Sequence, residues 1–158
     1  VVIPCYREKA HVMEVIGGIG PEVSHIVVID DACPEKTGDY VREHCRDPRV
    51  EVLSHERNTG VGGATMTGYR RALEAGAGII VKLDGDGQMD PSMIPTLIQP
   101  VADGGTDYAK GNRFHQFQAI SAMPTPSLGV LGRFKRRKLA LKDEIAALED
   151  QLTPDIIA

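Results

Sequence analysis

Asp84 and Asp86 stand two residues apart just after the apolar, β-branched run Ile79-Ile80-Val81. They lie in the stretch Val81-Lys82-Leu83-Asp84-Gly85-Asp86-Gly87-Gln88-Met89-Asp90-Pro91. Such a run predicts a short buried strand. Strand alternation turns both carboxylates to one side, and Gly85 between them lets a ligand come close to the backbone. In open α/β sheets, ligands bind at the carboxyl ends of strands. Hard oxygen donors placed there suit Mg²⁺ or Mn²⁺ shared with a substrate's phosphates. Two other readings compete. Asp-Gly pairs are ordinary turn chemistry. An EF-hand loop would put Asp84, Asp86 and Gln88 at its positions 1, 3 and 5, but Met89 stands where position 6 needs Gly and Pro95 where position 12 needs Glu. The EF-hand is excluded, and the metal and turn readings both stay open at this level.

The elements that must position these acids alternate along the chain. Val1-Val2-Ile3 predicts a first strand stopped by Pro4, and Val12, Val15, Ile16 and Ile19 have helical spacing over residues 8–19, ended by Gly17, Gly18 and Gly20. Ile26-Val27-Val28-Ile29 predicts a second strand running into Asp30-Asp31. A helix over 36–45 follows, with Tyr40, Val41 and Cys45 inward, and then a third strand at Val50-Glu51-Val52-Leu53. A Gly-rich entry leads into a helix over 61–75, the strand over 79–83 comes next, and a helix runs from Pro91 to Ala102, with Pro91 suited to a first turn. Asp107-Tyr108-Ala109-Lys110 predicts a fifth strand. Alternation of this kind calls for an α/β fold with a mostly parallel, Rossmann-like sheet covered by helices. The ends of strands one, two and four then meet on one edge, bringing Pro4, Cys5, Tyr6, Arg7 and Glu8 to Asp30-Asp31 and to Asp84 and Asp86. Each acid alone could be a helix cap; together they would repel one another without a cation or a ligand's donors.

Composition narrows the partners. The 158-residue chain carries a net charge of −4 and has three Phe, four Tyr and no Trp. It therefore has neither the positive field nor the stacking platforms of a nucleic-acid binder. Cys5, Cys33 and Cys45 lack metal-ligand spacing and are expected to be free thiols in a reducing cytoplasm. There is no apolar run of 18 residues. The chain opens within a strand pattern, so a start upstream of Val1 is expected. The run Asn58-Thr59-Gly60-Val61-Gly62-Gly63-Ala64 leads into a helix whose amides could take an anion. It is neither a phosphate-binding Walker loop nor a dinucleotide fingerprint, because no Gly-Lys-Ser/Thr follows and position 65 is Thr. Close helix packing explains the glycines equally well.

Five segments, Val2-Ile3-Pro4-Cys5-Tyr6-Arg7-Glu8, Val28-Ile29-Asp30-Asp31, Asn58-Thr59-Gly60-Val61-Gly62, Leu83-Asp84-Gly85-Asp86-Gly87-Gln88 and Lys110-Gly111-Asn112-Arg113-Phe114, resemble in order and spacing the family 2 glycosyltransferases. Within that family the chain looks most like the branch of dolichol- and polyprenyl-phosphate mannose synthases. The resemblance covers residues 1–123 and implies a GT-A glycosyltransferase fold. It implies that Pro4, Tyr6, Glu8 and Asp31 hold the nucleoside of a GDP- or UDP-sugar and that Asp84 contacts the donor. Asp86 and Gln88 would bind Mg²⁺ or Mn²⁺, and Arg113 would face the phosphates, with Asp86 and Arg113 serving catalysis. The implied reaction is an inverting transfer to a polyprenyl phosphate at the cytoplasmic face of a membrane. Two departures stand out. Arg7 replaces a frequent Asn, and Ala32-Cys33 replaces the usual Gly-Ser, so the loop after strand two is expected to close differently.

The resemblance fades beyond residue 123, and the acceptor half of the fold is expected to be cut short. Pro124-Thr125-Pro126-Ser127 predicts a linker over 124–132. Over 133–158 the cluster Arg133-Phe134-Lys135-Arg136-Arg137-Lys138 leads into an amphipathic helix seamed by Leu141, Ile145, Leu148 and Leu152. A helix so short must pack on something: on the sheet, on a second copy through residues 139–152, or on an anionic membrane surface. Two rival functions follow. One is a non-catalytic nucleotide-sugar-binding or oligomerisation module. The other is a nucleotidyltransferase, which would carry a basic Gly-rich loop where Cys5-Tyr6-Arg7-Glu8 stands.

Overall fold

The computed structural model of the chain describes residues 1–111 and the strand at 130–133. Within them β1 (Val2–Cys5), β2 (Ile26–Asp30) and β3 (Val50–Ser54) form a parallel sheet in the order β1-β2-β3, with Val2 opposite Val27 and Ile26 opposite Val50. A second set, in the order β4-β6-β5, contains β4 (Ile79–Val81), β5 (Tyr108–Lys110) and β6 (Val130–Arg133). β6 runs antiparallel to both its neighbours, so β4 and β5 point the same way. A parallel bridge between Val2 and Lys82, with the Leu83 N–H donating to the Val2 carbonyl at 2.9 Å, joins the two sets through β1 and β4. The strands thus follow one another 3-2-1-4-6-5, mostly parallel as expected.

Strand alternation divides the core between two faces. Ile3, Cys5, Ile26 and Val28 point to one side, where α1 (Val12–Gly17), α2 (Thr37–His44) and α4 (Ile94–Ala102) cover them with Val12, Val15, Ile16, Val41, Ile94 and Val101. Val2, Val27 and Ile29 point to the other, under Ala64 and Ala72 of α3 (Gly60–Glu74). The near-continuous apolar strands follow from this double coverage. α3 lies close to the sheet because Gly68 has no side chain: a methyl there would collide with Val2 and come within 2.7 Å of Ile29 Cδ1.

Several sequence expectations shift. Pro4 does not stop β1, which runs through Cys5. The Val1 and Cys5 carbonyls accept from Val27 and Asp31 on the β2 side at 2.8 and 3.1 Å, whereas Val2 accepts from the β4 side. Pro4 therefore faces past the end of β4, where its missing N–H breaks no ladder bond. α1 starts at Val12 rather than residue 8, because residues 8–11 form a turn in which Glu8 O accepts from His11 N and Val12 N at 3.0 and 2.9 Å. A single 3-10 turn at Pro91–Met93, capped by Asp90 on the Ser92 amide at 2.9 Å, precedes α4. β6 falls across the expected boundary between linker and basic helix. The other residues of that linker and helix, including 134–158 and the 139–152 seam, lie outside the described residues. No helix among the described residues is long and apolar enough to cross a membrane. Cys5, Cys33 and Cys45 are free thiols, the first two buried.

Candidate active site at the carboxyl ends of β1, β2 and β4

The ends of these three strands enclose, with the start of α3, a cleft of about 410 Å³. Pro4, Tyr6 and Glu8 line it from β1, Asp31 from β2, Gly60 and Val61 from α3, and Asp84, Gly85 and Asp86 from β4. Six of the expected residues, Pro4, Tyr6, Glu8, Asp31, Asp84 and Asp86, are thereby brought together. Gln88 is exposed, two residues past Asp86 on the same loop. Arg113 lies outside the described residues.

The two adjacent acids of β2 separate cleanly. Asp30 turns into the protein, its Oδ1 accepting from Cys33 N at 2.7 Å and its Oδ2 from Gly38 N at 2.6 Å. It ties the following loop to the start of α2. Asp31, only 2 % exposed, turns to the cleft. Its Oδ1 accepts from His55 Nδ1 at 2.7 Å and from the Thr59 amide and hydroxyl, each at 2.8 Å. Among the described residues nothing donates to Oδ2, the oxygen left for a ligand. Burial works to raise the Asp31 carboxyl, and the bonds from His55 and Thr59 outweigh it, holding it below the ordinary carboxylate value. An ionised carboxylate only accepts, so His55 must carry a proton on Nδ1, and its Nε2 is hydrogen-bonded with Thr67 Oγ1 at 2.9 Å.

The glycines around the cleft also have partners within the chain. The start of α3 already serves an anion: the Thr59 amide at its N-cap is spent on Asp31. Gly85 is demanded by the chain itself, since a methyl there would sit 2.9 Å from Cys5 Sγ and 3.3 Å from Glu8 Cβ.

On the β4 side, Lys82 Nζ forms an ion pair with Asp84 Oδ1. Asp86 Oδ1 accepts from Gln88 N at 2.9 Å. The acids sense one another: burial raises the Glu8 carboxyl, and the charges of Asp86 and Asp84 add to it against His11. Among the described residues, no group of three or more His, Cys, Asp and Glu side chains forms a metal cage. The donors fit a Mg²⁺-type ion nonetheless, since such ions take one or two carboxylates and complete their shell with phosphate oxygens and water. Asp86 has a carboxylate oxygen without a partner among the described residues, and Gln88 supplies an amide oxygen next along the loop.

Two loops beside the cleft hold left-handed residues. Arg7 follows β1 with φ 63° and Ala32 follows β2 with φ 52°. These are the two departures noted in the sequence, and each falls where the family's Asn or Gly would take that conformation at less cost. The loops are bound to each other, the Arg7 amide donating to Cys33 Sγ at 3.1 Å. Sequence reasoning missed His55, Lys82 and Thr67. His55 follows Ser54, the last residue of β3, so the strand-end rule that brought Asp30-Asp31 to the cleft points to it as well.

Residues 1–151 match the sequence model of Glycosyl transferase family 2. The chain belongs to this family. The match extends past residue 123, where the motif resemblance ends. The chain is 32% identical over 146 residues to a UDP-N-acetylglucosamine–dolichyl-phosphate N-acetylglucosaminyltransferase of Methanococcus voltae, covering 83% of this chain and 58% of the relative. It is 34% identical over 119 residues to a polyprenol monophosphomannose synthase of Mycolicibacterium smegmatis, covering 72% and 44%. The chain thus spans about half the length of these relatives. Its fold is that of the mannosyltransferase PcManGT of Pyrobaculum calidifontis, solved with GDP-Man and Mn²⁺, at a TM-score of 0.62 and 16% identity over 84% of this chain and 43% of that one.

Proposed function

We propose that this chain carries the donor-binding part of a metal-dependent, inverting glycosyltransferase that moves a sugar from a nucleotide to a polyprenyl phosphate. The observation that carries the reading is the convergence of Asp31, from the end of β2, with Asp84 and Asp86, from the end of β4, on one cleft. The acceptor is argued from the names of the relatives, which act on dolichyl or polyprenyl phosphates.

In this reading the Asp31 oxygen left unpaired accepts from the nucleoside, and Tyr6, 42 % exposed at the cleft, lies along it with Pro4 and Glu8. Asp84 receives the donor. Asp86 and Gln88 hold Mg²⁺ or Mn²⁺, which when bound neutralises the departing diphosphate and templates its position. The family resemblance assigns Arg113 to the phosphates. A polyprenyl phosphate is already anionic at neutral pH, so it attacks the anomeric carbon without a strong general base. The lipid acceptor places the reaction at a membrane surface, the cytoplasmic one if the donor is a cytoplasmic nucleotide sugar.

Calorimetric titration with a panel of GDP- and UDP-sugars, with and without Mn²⁺, tests the donor and metal assignments. One nucleotide sugar should bind, and only with the metal present. Transfer of its radiolabelled sugar to polyprenyl phosphate tests the acceptor. Metal-independent binding, or none across the panel, contradicts the reading.

A further inference from the structure

Asp84 and Asp31 are held alike. Each has one carboxylate oxygen engaged by a side chain outside the cleft lining, and neither has a partner on the other oxygen among the described residues. For Asp31 that side chain is His55, and for Asp84 it is Lys82. Lys82 and Asp84 lie two apart along the extended chain leaving β4, so their side chains emerge on the same side. Both are largely withdrawn from water, at 17% and 31% side-chain exposure. Glu8 and Asp86 also face this part of the cleft, and Lys82 is the cation ion-paired to a cleft acid there among the described residues. An ammonium is a compact point charge on a flexible stem; here the bridge to Val2 in β1 anchors the Lys82 backbone, and the ammonium pairs with Asp84.

We propose that Lys82 is a positioning residue: it holds Asp84 through Oδ1, keeps that carboxylate out of the metal's coordination, and reserves the other oxygen for the donor. This rests on the donor and metal reading above and divides the labour within it. Asp86 serves the ion, while Asp84, already neutralised by the protein, serves the sugar nucleotide. A carboxylate without Lys82 would instead compete for the cation, since the charge of the ligand set tunes divalent affinity.

The test is a double-mutant cycle read by Mn²⁺ binding to the whole chain without nucleotide, using the electron paramagnetic resonance signal of free Mn²⁺. Lys82→Met should bind Mn²⁺ about tenfold tighter than wild type, as Asp84 joins the ion. Asp84→Asn in the same chain should cancel that gain, and Lys82→Arg should leave Mn²⁺ affinity near wild type. At saturating Mn²⁺, Lys82→Met should bind the preferred nucleotide sugar about tenfold more weakly, as the reserved oxygen is lost. A purely structural role would weaken both ligands together. Unchanged or weaker Mn²⁺ binding in Lys82→Met overturns the proposal, and so does a gain that persists beside Asp84→Asn. Should Lys82→Met fail to fold by circular dichroism, Lys82→Gln carries the same expectation. Failure of wild type to bind any nucleotide sugar would count against the donor reading, and the nucleotide-free cycle would still decide the role of Lys82.

Discussion

Asp30 and Asp31 are chemically identical neighbours, and strand alternation gives them separate tasks. Asp31→Ala should weaken binding of the free nucleoside and the nucleotide sugar by a similar factor, about 1–3 kcal/mol for a buried hydrogen bond left unmade. Calorimetry with both ligands checks this; a loss confined to diphosphate-bearing ligands would move Asp31 to the metal. Asp86→Asn should abolish Mn²⁺-dependent binding of a nucleoside diphosphate while circular dichroism stays native, because a half-exposed strand-end acid is not part of the core. Asp31 also makes a prediction about pH. Its folded carboxyl lies below the ordinary value, so its stabilisation is complete above the unfolded pKa, about 3.9, and is lost as pH falls through the folded one. The stability gap between wild type and Asp31→Asn, from urea unfolding, should hold steady down to about pH 4 and close below it. A gap that widens on acidification contradicts the assignment. The pair was legible from pattern as strand-end acids; only the family resemblance divided them, because the physical division depends on where the Gly38 and Thr59 amides arrive.

The helices and loops show why some sequence signals misled. The Gly-rich entry to α3 left an anion and close packing both open as readings, and the Thr59 amide there is taken by Asp31. Gly68, within the same helix, carried no signal at all, since its role appears only when α3 meets Val2 and Ile29. Gly68→Ala should cost about 1–3 kcal/mol by overpacking, read as a lower urea midpoint with an unchanged slope. The order and type of the elements were readable from period and punctuation. β6 was not, because the Pro-rich run before it read as a linker and its pairing is with strands distant in sequence. Ala32 was flagged as a departure, and the expectation of a differently closed loop meets a left-handed residue at that position. Ala32→Gly should raise stability by about 1 kcal/mol, the cost of the left-handed conformation for an L-residue being about 1–2 kcal/mol. A neutral or destabilising result would show that the Cβ makes a contact worth the strain.

At the scale of the molecule, the cleft lies along one edge of the sheet. Three strand ends and one helix start meet there, with the buried core on both faces of the sheet directly behind. A ligand bound only by the native state stabilises it by mass action, about 2.7 kcal/mol at a concentration one hundred times its Kd. Thermal unfolding followed with the preferred nucleotide sugar should therefore shift upward only when Mn²⁺ is present, and the shift should vanish in Asp86→Asn.

The insertion of β6 between β4 and β5 has a consequence for the order in which the molecule is made. β1, β2 and β3 can pair once residue 54 has left the ribosome, since the ladder pairs among the three all lie between residues 2 and 54. β5, in contrast, has β6 as its strand partner among the described residues, and it must wait for residue 133. During synthesis, at roughly 5–20 residues per second, the acids of the cleft would thus be gathered seconds before the far half of the sheet closes, and β5 would stand meanwhile as an unpaired edge. A chaperone that shields strand edges would find its target there, in the interval between residues 110 and 133.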